Sequence, residues 1–364
     1  MNVIITIFNL FVLVFIGALY YIMPSLINKY LLFGVTINDE IVNDIEIIAV
    51  KREYRQKILL VSIISILLYI VFSLMLTIDQ ILPLFFVFLL VMLIFTYIIY
   101  FNAHKKIKKI KSNYNLEEIT LKTVDTKADV VFKVLSPVWY ILYLAVIMML
   151  VFITINQYPK LPETLATHFD LNGISNGFIQ KSYGVIILQP IIMLIISILF
   201  IFMNYTFRIS KKVSGVSSEK LSLEQENKFR YLWSIALYII GLGVLIFFAL
   251  IQLNFIRILD GTNYLVTLNF ILEGTIIVIV FGLAIYTGQS GSRIKIDKKI
   301  RDMVDKDDDS NWKGGIIYFN PKDPSIFVNK RFGIGITLNF GCPISWVFIV
   351  VIIGVIIFSI IKGQ

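Results

Sequence analysis

Few side chains in this sequence can do chemistry, and most of them fall in one stretch. The chain has two histidines, His104 and His168, and a single cysteine, Cys342. One cysteine forms no internal disulfide, and the three residues are too few for a Cys/His zinc cluster. From Leu161 to Ser182 the chain reads LPETLATHFDLNGISNGFIQKS. Glu163, His168 and Asp170 are its titratable groups, and Asn172 and Asn176 stand beside two glycines that permit sharp turns. His168 and Asp170 are two residues apart, which on a strand puts both on one face. Such a pair can take a metal ion, titrate with pH or hold a polar peptide ligand. Equally, the segment can be a structured turn whose polar groups satisfy its own backbone.

A second set of polar residues lies inside apolar runs. Glu273 is nine residues into the run that starts at Tyr264, roughly 14 Å along a helix at about 1.5 Å per residue. A carboxylate at that depth in a membrane is costly and marks either a function or a buried partner. Asn269 is one turn away on the same face, and Gln189, followed by Pro190, sits at a comparable depth in another run. Together they suggest a polar cavity; interhelical hydrogen bonding with Glu273 protonated is the equal alternative.

Other signatures are absent or fail. There is no HExxH and no Walker A loop, so neither a gluzincin nor an ATP-driven pump subunit is indicated. Gly333 and Gly335 begin a GxGxxG pattern that Asn339-Phe340 does not continue. Asp305, Asp307 and Asp309 mimic the start of a calcium loop, but Ser310 replaces its glycine and Ile316 its bidentate ligand. A solvated acidic turn is expected there. No nucleophile and base can be paired, so an enzyme is not expected, and no metal or cofactor is implied.

The elements that must position these residues are membrane spans. Of 364 residues, 58% are hydrophobic and 16% charged, against about a quarter charged in soluble domains. Windows of about 20 apolar residues start near Val3, Ile58, Ile81, Leu135, Tyr183, Tyr231, Tyr264 and Ile344. The expected fold class is an all-α polytopic membrane protein of about eight transmembrane helices. A tight turn at Asp79-Gln80 is expected between spans two and three. The first run has no basic n-region or small-residue cleavage site and reads as a retained span rather than a signal peptide.

Lys and Arg set the orientation. The seven joints hold 5, 0, 8, 2, 6, 1 and 10 of these residues in order, and the tail one. Odd joints are therefore cytoplasmic, both termini outside, and the Leu161–Ser182 segment external. The net charge of +9 reports these retained loops rather than nucleic acid, which is not expected as a partner. The segment HKKIKKIK, His104 to Lys111, extends the third span with Ile107 and Ile110 on an apolar edge, suited to anionic headgroups. Ser222 and Gln225 have capping-box spacing, so a helix is expected to start there.

The chain divides into a three-helix region with basic loops (1–134), a membrane hairpin carrying the external loop (135–210), helices six and seven (211–287), a small cytoplasmic domain (288–341) and a last span (342–364). In the small domain, Lys295 to Val304 reads as a polar helix. Ile316 to Phe319, Ile326 to Val328 and Gly333 to Phe340 read as a β-hairpin or meander under the bundle.

With these segments located, the external loop resembles the LPxxxxxHFxxxGxxxGxxxK signature of the domain that opens the Sdp-type immunity proteins of Gram-positive bacteria. The matching residues are Leu161, Pro162, His168, Phe169, Gly173, Gly177 and Lys181. Asn311 to Gly341 is similar to a small C-terminal domain of unknown function found in larger relatives, and Phe33-Gly34-Val35 with Asp39-Glu40 resembles their first cytoplasmic loop. The resemblance implies a protein of the bacterial cytoplasmic membrane that protects against, or senses, an external peptide. Glu163, His168, Asp170, Asn172 and Lys181 would form the external site, and a cytosolic protein would receive the output. The alternative is a secondary transporter or exporter working through Glu273.

Overall fold

The computed structural model describes residues 2–37, 41–114, 132–169, 175–210, 219–259, 263–295, 309–350 and 354. Seven long helices dominate: α1 (Asn2–Leu26), α2 (Ile45–Ser73), α3 (Ile78–Asn113), α4 (Ile141–Gln157), α5 (Tyr183–Ile209), α6 (Glu219–Phe255) and α7 (Asn263–Thr287). All seven contain stretches long and apolar enough to cross a membrane, as an all-α polytopic fold requires. The eighth expected span begins as helix over 343–350, and the rest of it lies outside the described residues apart from 354.

Several helices are longer than a bilayer demands. α2, α3 and α6 have 29, 36 and 37 residues, against about 20 needed to span. The surplus carries Lys and Arg out of the apolar zone at one end. Local chemistry sets the boundaries. Asp44 accepts from Glu46 N at 2.7 Å to start α2, and Ser182 accepts from Val185 N at 3.3 Å to start α5.

Two expected boundaries are corrected. The turn between α2 and α3 is at 74–77, not Asp79-Gln80, because Gln80 Oε1 reaches back to Thr77 N and winds Asp79 into the first turn of α3. α6 starts at Glu219, so Ser222 lies within its first turn rather than capping it.

The helices pack in two groups of three. Leu13, Tyr69, Phe85 and Met92 form the core of α1–α3. Gly17 lets α1 approach α2 closely, since a Cβ there would lie 2.6 Å from Ser62 Oγ. Tyr143, Ile147, Met193 and Leu245 form the core of α4–α6, where the Tyr143 hydroxyl donates to Tyr238 O at 2.6 Å. α7 bridges the groups. It lies on α6 and meets α1 through the ring pairs Phe8–Phe270 and Phe15–Phe281, at 4.8 and 5.0 Å. Outward side chains such as Leu60, Phe86, Met148, Phe152 and Val278 are apolar and exposed, as a bilayer environment requires.

Four small antiparallel pairs complete the fold. β1 (Leu31–Leu32) pairs with β2 (Val35–Thr36), and β3 (Thr164–Phe169) with β4 (Ser175–Gln180). β5 (Trp312–Lys313) pairs with β6 (Ile317–Tyr318), and β7 (Phe327–Asn329) with β8 (Ile336–Leu338). The last two pairs join through a parallel bridge between Tyr318 and Asn339. Asn339 donates to Asn320 O and Asp323 O at 3.0 and 2.9 Å, fixing the turn between them. The expected polar helix over Lys295 to Val304 falls almost wholly outside the described residues.

The described parts of the four basic joints meet at one end of the bundle. The β1–β2 hairpin, the end of α3, the start of α6 and the 309–340 module contact one another there. The turn at 74–77, the β3–β4 hairpin and the turn after α6 occupy the opposite end, the alternation that the Lys and Arg pattern predicts.

Candidate functional site

The β3–β4 hairpin caps the sparsely charged end. Leu165 is 2% exposed and packs with Leu161, Ile186 and Ile256 over the ends of α5 and α6. Gln252 on α6 supports this floor by donating to Ile186 O at 2.9 Å. Lys181 clamps the base. Its backbone N–H donates to Glu163 O at 2.8 Å, continuing the ladder, and its Nζ donates to Leu161 O at 2.9 Å. Nζ also lies 3.2 Å from a Glu163 carboxylate oxygen and 5.2 Å from the Tyr158 ring centroid. The Glu163 side chain is 90% exposed, so water screens that ion pair and the carbonyl bond does most of the holding.

Register decides what the ribbon shows. Leu165 pairs with Ile179 and Ala166 with Phe178, so Phe178 stands on the face away from the floor and is 64% exposed. Pairing is irregular on both sides of His168, which stands opposite Gly177; such bulges twist a ribbon and re-aim side chains. β3 ends at Phe169. Asp170 and Asn172 lie outside the described residues, as does the expected shared face of His168 and Asp170. Among the sequence candidates, the structure brings Glu163 and Lys181 together at the base.

The intramembrane candidates resolve differently. Asn269 Nδ2 donates to Glu273 Oε1 at 2.8 Å within α7. Phe270 and Phe281 mark the side of α7 facing α1, and Leu272 abuts Gly243 on α6. Ile271 and Val278 are exposed on the outer side. At about 100° per residue Glu273 falls between the α1-facing and α6-facing sides, away from the outer surface. It is half-buried. Gln189 is half-buried on α5, across α6 from α7, and no hydrogen bond joins it to Glu273 among the described residues.

At the basic end lies a constellation that no motif announced. Arg331 is fully buried; it donates to Gly34 O at 3.0 Å, to Thr36 Oγ1 at 2.9 Å and to the Asp309 carboxylate. Asp309 also accepts from Lys111 Nζ at 2.7 Å and from Thr36 N at 3.1 Å. Burial alone would raise its carboxyl, but Arg331 and Lys111 outweigh burial and hold it at about 2. Asp309 is thus the hub of a clasp and not the solvated acidic turn expected.

The clasp is tight because Gly34, at φ +76°, lies against Gly315; a Cβ on Gly34 would come 2.4 Å from Gly315 O. Tyr100 donates to Phe33 O and Gly314 O at 3.1 and 3.0 Å, and His104 Nδ1 lies 2.8 Å from Phe33 O. A second buried pair lies nearby. Arg230 and Glu226, both 1% exposed, are 2.5 Å apart, and Asn329 donates to Glu226 at 2.7 Å. In the sequence, Gly34 and the Gly314-Gly315 pair are the local signal of this close backbone approach.

These features define a multi-pass membrane protein with a β-ribbon at one end and an interlocked module of loop elements at the other. Within it, residues 144–194, which run from α4 through the ribbon into α5, match a domain of unknown function, DUF1648. Residues 321–346, covering β7, β8 and the start of the last helix, match a family of unknown function, DUF5808. No curated protein and no solved structure matches the chain. Both matched models describe segments and carry no activity.

Proposed function

We propose that this chain is a non-catalytic protein of the bacterial cytoplasmic membrane, with both termini outside, that captures an external peptide or envelope-active compound on the β3–β4 ribbon. Capture confers tolerance or is signalled inward to a cytosolic protein through the module at the basic end. The observation that carries this reading is the ribbon itself. It is a six-by-six-residue hairpin with no third strand among the described residues, anchored by Lys181 and presenting Phe178 on the face away from the floor. Unpaired edges and exposed apolar side chains are what an extended peptide needs to add as a strand. Glu163, His168, Asp170 and Asn172 would supply polar contacts, and the resemblance of the loop to the Sdp-type signature agrees with an immunity or sensing role.

The test is survival of deletion, complemented and His168→Ala strains against membrane-active peptides and envelope antibiotics, with protein level measured alongside. Protection restored by the intact gene and lost with His168→Ala at normal level is expected. Identical survival of all three strains across the panel would remove the reading.

A second reading has one specific support, the inward-facing Asn269–Glu273 pair. A secondary transporter would use that carboxylate for a proton or substrate. Glu273→Gln should then abolish pH-coupled flux in proteoliposomes, and unchanged flux would exclude the residue.

A further inference from the structure

Between the basic ends of α1 and α2 lies a cationic seam that no carboxylate among the described residues neutralises. Lys51 and Arg55 are one turn apart on α2 and share a face, with Arg52 on its border. That face is turned to α1, because Ser62, seven residues beyond Arg55, meets Gly17. Arg55 crosses the seam: Nη2 donates to Ser25 Oγ, and its guanidinium lies 5.8 Å from the Tyr21 ring centroid.

Arg55 Nε is buried and has no hydrogen-bond acceptor. The nearest carboxylate in sequence, Glu53, is on the opposite side of α2, held by Lys57 at 2.6 Å and Lys106 at 2.5 Å. No carboxylate among the described residues pairs with Lys51, Arg52 or Arg55. Like charges one turn apart repel, and a buried donor without an acceptor costs free energy, so the seam is completed by an anion with several oxygens.

The surroundings indicate which anion. Arg55 stands one turn before the apolar run of α2 begins at Ile58, the level at which headgroups lie. Beyond it, Val14 on α1 and Leu59 and Ile63 on α2 are 51%, 50% and 47% exposed. Val14 is two turns from Tyr21 on the same stripe of α1, so these apolar side chains continue the seam into the membrane. A planar guanidinium fork suits two phosphate oxygens, with a lysine as a point charge beside it.

We propose that the α1–α2 seam binds the phosphate of an anionic lipid headgroup through Arg55, Lys51 and Arg52, with the acyl chains along Val14, Leu59 and Ile63. The site is separate from the ribbon and does not depend on what the ribbon binds.

The test is native mass spectrometry of the full chain in detergent, titrated with phosphatidylglycerol or phosphatidylcholine of the same acyl chains. Wild type should retain phosphatidylglycerol preferentially. Lys51→Gln/Arg55→Gln should lower that preference about thirtyfold, two cations being removed. The control Lys313→Gln/Lys322→Gln, which removes two exposed cations from the 309–340 module, should keep it.

Equal retention of the two lipids, an unchanged preference in the seam variant, or an equal loss in the control would overturn the site. Displacement of phosphatidylglycerol by inorganic phosphate at comparable concentration would overturn the lipid assignment. If the double variant does not fold, Arg55→Lys keeps the charge and removes the fork. A several-fold loss is then expected, and a wild-type preference would sink the proposal.

Discussion

Neutralising the hub of the clasp with Asp309→Asn should loosen the basic end while leaving the helices in place. Asparagine keeps the shape and one acceptor oxygen, but it removes the negative charge that faces the fully buried Arg331 and the Lys111 ammonium. The magnitude follows from the carboxyl itself, held at about 2 against an ordinary 3.8. At about 1.36 kcal/mol per unit, that difference is worth about 2 kcal/mol to the closed clasp. The folded value is depressed, so the contribution is complete above about pH 4 and is lost as pH falls through about 2. Amide hydrogen exchange in nanodiscs reads local opening. At neutral pH the amides of 31–36 and 312–338 should exchange about thirtyfold faster in the variant. Wild type should approach the variant between about pH 4 and 2, and the variant should change little there. Wild-type exchange in Asp309→Asn at neutral pH would refute the reasoning, because the Asp309–Arg331 pair would then contribute nothing to closure.

Three further outcomes follow from the same packing. Glu226→Gln leaves Arg230 as a buried cation and should cost about 3–5 kcal/mol, read as a clear fall in thermal unfolding temperature in detergent; an unchanged transition would contradict it. Gly34→Ala places a Cβ against Gly315 O at positive φ, so limited trypsin should cut near Lys29 far faster, whereas Gly335→Ala, with open space around it, should show a weaker effect. Lys181→Met removes the bond to Leu161 O and should raise exchange in 164–180 about tenfold, while Glu163→Gln, losing only a screened ion pair, should change it little.

The membrane architecture was legible in the sequence because its causes are local and one-dimensional. Apolar runs of sufficient length at Val3, Ile81, Tyr183 and Tyr264 became α1, α3, α5 and α7, and the basic joints fell at one end. Ile107 and Ile110 were readable as an apolar edge, but the edge is buried against the β1–β2 region and does not face headgroups as expected. Boundaries were less legible. The backward reach of Gln80 to Thr77 moved a turn by several residues, and apolar content cannot report such a bond.

What tertiary structure alone decided is the interlock at the basic end and the two-sided bulge at His168. Asp309 sits in an acidic run that looks solvated, and nothing near it in sequence names Arg331 or Thr36 as its partners. Those groups meet only after α1, α3 and the last module have packed, and only then does burial make their charges count. The sequence by itself determined that the chain must live in lipid and which joints share an end, because hydropathy and charge act on each residue where it stands. Pairing between distant polar groups depends on mutual geometry and desolvation, which exist only in the folded chain.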